Sequence, residues 1–490
     1  MATADANDLV CLTNCLLVLE SGQLEKKDLW IDSHSGKIVD AQFNFYTNRR
    51  RPTRSIDLGG NIISAGLLDI QINGAYGFDF SIDDGDDSKY ENGLKMVAEK
   101  IVETGVTSLV PTIITQERTQ YPRLTNLLRP HAYQHGASLL GWHAEGPFLQ
   151  TLKKGAHDSN FLLAAPNSIE TFSEVYGPKS ISPIVSPRTS SIPFVRIITL
   201  APELDGVGQA IQDLVTKKGI TVSIGHSIAN SETAMRAVRD GARLITHLFN
   251  AMPQLHHRDP AIIGLLGAGG SYASQTAFKP LVNEPIKVNG MHARKISRQI
   301  DEAVSEMPTP PDTPIERSPA YVDATTLAAP SIAEGFQRPY YGLIVDGIHS
   351  HPHSVRLAYT AHPDGCILVT DAMSMLDPHL PDGIHEWRDG RKLVKHGEQL
   401  CIAGTDTLAG SVVTLDKCVR NFSQFTGASF ATSILCATLH PAKCLEIEDR
   451  KGTLRAGADA DLTVWDSHGN VLATWVGGKQ VWERSPDAIC

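Results

Sequence analysis

From residue 62 to about 450 the chain alternates short, nearly continuous apolar runs with longer stretches whose apolar residues recur every three or four positions. The runs at 108–114, 195–200, 341–345 and 366–370 read as strands buried on both faces, the pattern of a parallel sheet. Between them, 206–218 places Val207, Ala210, Ile211, Leu214 and Val215 near a 3.6-residue period. The stretch 231–239 has Asn230 and Ser231 as candidate N-caps and Gly241 beyond its end. Repeated βα units over this length predict an α/β fold, a (β/α)8 TIM-like barrel. The two ends read otherwise. The runs at 28–32, 461–465, 471–476 and 479–482 are strand-like, and neither end is long enough for a core of its own. One small β-sandwich formed from both termini is the economical expectation, with 1–63 and 451–490 as its two parts and 64–450 as the barrel. Two segments look inserted. One is 178–193, rich in Ser and Pro. The other, near 271–338, carries Met307-Pro308-Thr309-Pro310-Pro311-Asp312-Thr313-Pro314 without a period and reads as a flexible surface loop or linker, or alternatively as a partner-binding segment.

Three polar residues punctuate the strand ends. Glu145, His226 and His247 each follow a short apolar run, and 21 residues, room for one helix and one strand, separate the two histidines. They therefore fall on one rim of the barrel, the rim that carries chemistry in such folds. A carboxylate and two imidazoles suit one divalent metal, with zinc the first candidate and iron, manganese and cobalt compatible with the same donors. Bound zinc lowers the pKa of a water it holds to about 7, which is hydrolase chemistry. Asp371 follows the run 366–370 and reads either as the general base of that site or as a cap on the next loop. The first run of the main domain, 67–74, carries Gln71 and Asn73 rather than histidines. Amides are weak zinc ligands, so one metal is expected rather than two.

The net charge of −10 argues against nucleic acid as the main partner, while a small anionic substrate needs only a few local cations. The eight cysteines form no C-x-x-C pair, the first residues lack a basic and an apolar signal region, and no run of about 18 apolar residues occurs. A reduced cytoplasmic protein with no membrane span is expected.

Eight motifs in order carry a resemblance. They are 69–74 (DIQING), 143–148 (HAEGPF), 153–157 (KKGAH), 200–203 (LAPE), 225–227 (GHS), 246–252 (THLFNAM), 345–349 (VDGIH) and 369–372 (VTDA). Together they resemble the N-acetylglucosamine-6-phosphate deacetylases of the amidohydrolase superfamily. The resemblance implies Glu145, His226 and His247 as metal ligands and Asp371 as general base and then acid. It also implies His157 and His349 as contacts to the sugar, its amide or its phosphate, and the backbone of Asn250 and Ala251 as part of the phosphate site. Arg258 would supply positive charge, in this family to the neighbouring subunit of a homodimer. The family pattern has Gly after Pro260, and this chain has Ala261. Other readings stay open beside these. His143 could be a strand-end hydrogen bonder, and His256 and His257 a solvated face. Lys153 and Lys154 could be a solvated pair rather than phosphate ligands. The Gly-rich 264–270 lacks the context of a nucleotide loop. Two further functions compete with the deacetylase: an amidohydrolase acting on a cyclic amide or nucleobase, which Gln71 and Asn73 disfavour, and a non-catalytic sugar-phosphate-binding scaffold.

Overall fold

The computed structural model describes residues 9–484 apart from 183, 187–188, 269–335, 388–389, 391, 406–407 and 409. One compact unit comprises 1–268 and 337–490, and the second, 269–336, falls almost wholly outside the described residues, as does most of the insertion expected near 271–338.

Eight parallel strands among the described residues form the barrel: β1 (Leu67–Ile72), β2 (Val106–Ile114), β3 (Trp142–Glu145), β4 (Val195–Leu200), β5 (Thr221–Ile224), β6 (Leu244–Ile245), β7 (Tyr340–Leu343) and β8 (Cys366–Leu368). Each pairs in parallel with the next. All residues of β1 and β4 are buried, as a sheet covered on both faces requires. Between β8 and β1 the ring is joined by the Asp371 N–H donating to the Gln71 carbonyl at 2.8 Å and the Thr370 hydroxyl donating to Asp69 Oδ2 at 2.6 Å. Burial pushes the Asp69 carboxyl up to about 7, although the Thr370 and Gln71 hydrogen bonds oppose the shift.

The helices follow their sequence signals. Asp87–Ile101 starts on the Asp86 side chain, which accepts from the Lys89 N–H, and buries Tyr90, Leu94, Val97, Ala98 and Ile101 along one stripe. Ser231–Arg239 starts on Asn230, whose side chain accepts from the Thr233 N–H at 2.9 Å. The run at 206–218 is a helix over Val207–Thr216. Run 138–142 differs from expectation. It splits into Ser138–Leu139 and β3, because Gly141 sits at φ 103° and breaks the run, so Glu145 is the last residue of a strand rather than beyond it. The Ser- and Pro-rich stretch holds an antiparallel pair, Ile184–Ser186 with Thr189–Ile192.

Both termini build the sandwich. Ile62–Ala65 pairs in parallel with Leu16–Val18 and antiparallel with Leu462–Trp465, so one strand stitches the two ends of the chain together. A four-stranded sheet, with Leu9–Thr13 and Leu29–Asp32 at its centre, faces this six-stranded one. Leu12, Ile31, Ile63, Leu462, Val464 and Trp475 fill the space between, each large apolar side chain contributing about 1.5–3 kcal/mol on burial. The Thr463 and Thr474 hydroxyls donate to the Gly105 and Val102 carbonyls and tie the sandwich to the barrel. A Cβ on Gly105, at φ 79°, would sit 2.8 Å from Thr463 Cγ2, so only glycine fits there.

Candidate metal centre

Glu145 ends β3, His226 and His247 lie two residues beyond β5 and β6, and Asp371 lies three beyond β8. Parallel strands bring all four to one rim. His226, His247 and Asp371 sit at φ 47°, 27° and 46°, in the left-handed region that side chains avoid. Such residues cost about 1–3 kcal/mol each and persist where the surroundings over-determine them, a pattern that clusters at functional sites. Gly225 makes the His226 turn fit, because a Cβ there would stand 2.7 Å from Thr246 Cβ.

The three donor atoms converge. Glu145 Oε1 lies 3.0 Å from His226 Nε2 and 3.2 Å from His247 Nε2, and the two Nε2 atoms are 3.0 Å apart. His226 Nδ1 donates to the Lys153 carbonyl at 2.7 Å, which leaves the Nε2 lone pair directed at its neighbours in the neutral ring. Three acceptor atoms held this close repel one another unless a proton or a cation sits among them. A cation at 2.0–2.1 Å from each ligand in tetrahedral geometry spaces the ligands about 3.3 Å apart. The residues therefore fit one divalent metal, and the His226–Lys153 bond is the outer contact that fixes a ligating histidine. His247 Nδ1 is buried and has no partner among the described residues.

The electrostatics agree. Burial alone would raise the Glu145 carboxyl, but hydrogen bonds and charge from His226 and His247 hold it well below its ordinary range. Burial would lower His247, yet the Glu145 hydrogen bond and charge carry it up to about 9. Asp371 is pushed up to about 6, first by burial and then by the Glu145 charge.

His157 joins the group, since its ligand atom and those of Glu145 and His226 all lie within 4.8 Å of one another. It is nonetheless the weaker ligand. The Thr115 N–H donates to its Nδ1 at 3.2 Å, which places the ring proton on Nε2 and makes that atom a donor. The Glu145–His226–His247 set is tighter, its donor atoms lying within 3.2 Å of one another, and His226 presents its Nε2 lone pair to it, which makes it the candidate set for a cation.

The remaining predicted residues divide. His349 Nδ1 bonds Asp346 Oδ2 at 2.6 Å, and its charge reaches Asp371. Burial would raise the Asp346 carboxyl, but the bond from His349 outweighs it and holds the group below its usual range. Ala251 sits at φ 51°, and the Asn250 N–H is engaged by the His247 carbonyl at 2.9 Å. Arg258 stands apart, exposed on the following loop, where its Nε donates to His257. Lys153 acts through its backbone carbonyl, and Lys154 donates to the His157 carbonyl. His143 is buried against Thr199 Oγ1 at 2.7 Å, and burial lowers its pKa to about 4, so it is a neutral hydrogen bonder inside the barrel.

Two residues read only as missing ligands turn out to hold the site. Gln71 Nε2 donates to Glu145 Oε1 at 3.3 Å, and Asn73 Nδ2 donates to Asp371 Oδ1 at 2.8 Å. The signal was present in the sequence: Asp69, Gln71 and Asn73 alternate along an otherwise apolar strand and so share its inward face.

Residues 62–481 match the model of the amidohydrolase family. An N-acetylglucosamine-6-phosphate deacetylase of Caenorhabditis elegans is 35% identical over 97% of this chain and 95% of its own length, and that of Rattus norvegicus 37% identical over 96% and 95%. The chain belongs to the amidohydrolase family, on its N-acetylglucosamine-6-phosphate deacetylase branch. The fold of this amidohydrolase is similar to that of the Pasteurella multocida deacetylase, with a TM-score of 0.69 at 23% identity over 97% of this chain and all of the other. The family is metal-dependent, in keeping with the donor set.

Proposed function

We propose that the chain hydrolyses the N-acetyl group of N-acetylglucosamine 6-phosphate, giving glucosamine 6-phosphate and acetate in amino-sugar breakdown. The convergence of Glu145, His226 and His247 beside Asp371 carries the reading, and the names of the relatives supply the substrate. Those three residues hold one divalent cation per subunit, with zinc the first choice for two imidazoles and a carboxylate. When bound, such a cation polarises an amide carbonyl and acidifies water enough to make a nucleophile at neutral pH.

Asp371 accepts the proton of the attacking water and passes it to the departing amine. Its carboxyl, near 6, suits both directions of transfer around neutral pH. Asn73 occupies Oδ1 and so leaves Oδ2 for that exchange. The His157 Nε2–H points a dipole at charge developing on the acetyl oxygen. His349, aimed by Asp346, meets the sugar. Asn250 and Ala251 help hold the phosphate, whose binding energy orients the amide. Arg258, apart from the cluster of its own chain, serves the site of a second subunit in a homodimer. A cytoplasmic location belongs to the same reading, in keeping with the seven described cysteines, which are free. The division into a sandwich of 1–63 with 451–490 and a barrel of 64–450 belongs to the same proposal.

Acetate release from N-acetylglucosamine 6-phosphate, alongside the unphosphorylated sugar, tests it. Turnover of the phosphorylated sugar alone is expected. Turnover of a dihydropyrimidine or aminopurine instead, with none on the amino sugar, would reverse the assignment.

A further inference from the structure

A cavity of about 550 Å³ opens at the other end of the barrel strands, between the segment that leads into β3, the start of β4 and the edge of the sandwich. Its walls include Ser138, Leu139 and Arg196 on the barrel side and Gly36, Val476 and Gly477 on the sandwich side. Arg196 is the second residue of β4, whose far end reaches the metal rim. At about 3.3 Å per residue, the length of β4 keeps this cavity more than about 10 Å from that rim.

Charge in the cavity is unbalanced. Arg196, Arg450, Lys451 and Lys479 line it together with Asp459 and Asp461. Both acids are already answered, Asp461 by Lys451, and Asp459 by Lys37, Arg450 and Lys451. Arg196 and Lys479 have no carboxylate partner among the described residues. Arg196 is only 7% exposed, and its Nε is buried without a hydrogen-bond partner, while one terminal nitrogen donates to the Leu445 carbonyl at 2.8 Å. A buried guanidinium with unspent donors is costly and is normally paired. Burial accordingly pulls its pKa down to about 10. The space far exceeds what a bare ion needs and falls in the size range of small-molecule sites. One wall is the edge-to-face pair His131–Tyr133, with ring centroids 4.7 Å apart.

We propose that this cavity is a second binding site, distinct from the metal centre, for a small organic oxyanion. Its phosphate or carboxylate group would pair with Arg196, Arg450 and Lys479, and its body would lie against His131 and Tyr133. A guanidinium offers paired donors to either oxyanion. The site stands independently of the proposed reaction, because none of its residues touches the metal cluster or Asp371.

The test is calorimetric titration of the full chain, metal loaded, with inorganic phosphate, glucose 6-phosphate and citrate. It is run on wild type and on Arg450→Glu/Lys479→Glu, whose positions are partly or fully exposed and outside the catalytic machinery. At least one organic probe is expected to bind wild type and to weaken about tenfold or more in the double variant, with kcat and KM for acetate release unchanged. Phosphorylated and carboxylate probes separate the two headgroups, and tighter binding of an organic probe than of inorganic phosphate marks the body's contribution. Arg196→Met is a second variant, used only where its circular dichroism matches wild type, and should abolish the same binding. Equal affinity in wild type and the double variant, or no binding of any probe beyond what the metal centre accounts for, would overturn the proposal.

Discussion

The two ends of the barrel strands are built on opposite terms. At the carboxyl end, His226, His247 and Asp371 are held in left-handed backbone, and three acceptor atoms are crowded within 3.2 Å. At the amino end, Lys451 is buried but answered by Asp459 and Asp461. The rim keeps backbone strain and a crowded donor set for a cation to relieve, whereas the base sets Lys451, Asp459 and Asp461 against one another and leaves Arg196 and Lys479 beside them without a carboxylate partner among the described residues. Mutations at the rim should therefore remove activity and spare the fold, and mutations at the base should do the reverse.

Asp371→Asn gives the sharpest contrast. It keeps the hydrogen bond to Asn73 through the side-chain oxygen but cannot take a proton. Turnover should fall by about 10²–10⁴-fold while metal content and thermal unfolding stay near wild type. Comparable turnover in purified, metal-loaded variant would remove Asp371 from the mechanism.

At the base, Lys451→Met leaves buried Asp461 without a side-chain cation among the described residues and takes one of three from half-buried Asp459, which keeps Lys37 and Arg450, and should destabilise the chain by about 3–5 kcal/mol with kcat/KM unchanged below the melting range. The wild-type pair also sets a pH window. Burial opposes both charged forms, but the partners win, lowering Asp459 and raising Lys451. A depressed carboxyl stabilises above its unfolded pKa and loses that stability as pH falls through its folded value. A raised ammonium stabilises below its unfolded pKa and loses it as pH rises through its folded value. Chemical denaturation should show the Lys451→Met penalty in full at neutral pH and shrinking at both the acid and the alkaline extreme. A penalty that is constant across that range would contradict the pairing.

The crowding at the rim makes metal affinity depend on pH. With His247 up at about 9 in the metal-free site, a cation entering at neutral pH displaces its proton. Affinity should therefore drop about tenfold for each pH unit below 9 if one proton is released. Zinc titrations at several pH values, in buffers of different ionisation enthalpy, read both the slope and the proton. A flat profile would mean the site is already deprotonated.

The smallest expected effect lies just outside the site. Ala261, standing where the family pattern has Gly, sits at φ 51°. Ala261→Gly should stabilise by about 0.5–1 kcal/mol by relieving left-handed strain, as melting temperature would show, without changing turnover.

Much of this was legible in the sequence because parallel strands write themselves as apolar runs. Val195–Leu200 was found with its observed bounds, and Asn230, one of the two candidate caps, is the cap of its helix. Glu145 was misplaced by one element boundary, since a glycine at φ 103° breaks an apolar run without disturbing its hydrophobicity. The sheet Gly383–Glu386, Lys392–His396 and Gln399–Ile402 left no clear signal, because its outer residues are exposed and its small core takes single residues, Leu393 and Leu400, from two of its strands and Trp387 from beyond the third. The metal ligands could be named from residue type and strand-end position. The tasks of Gln71 and Asn73 could not, because a hydrogen bond across 74 or 298 residues is a property of the closed barrel.

The most direct test of the account is metal content per chain, measured by elemental analysis on wild type and on Glu145→Ala, His226→Ala and His247→Ala, with folding checked by circular dichroism. One divalent ion per wild-type chain and a marked loss of it in each folded variant is the predicted result. Two ions per chain, or one that survives all three substitutions, would contradict the assignment of the cation to Glu145, His226 and His247.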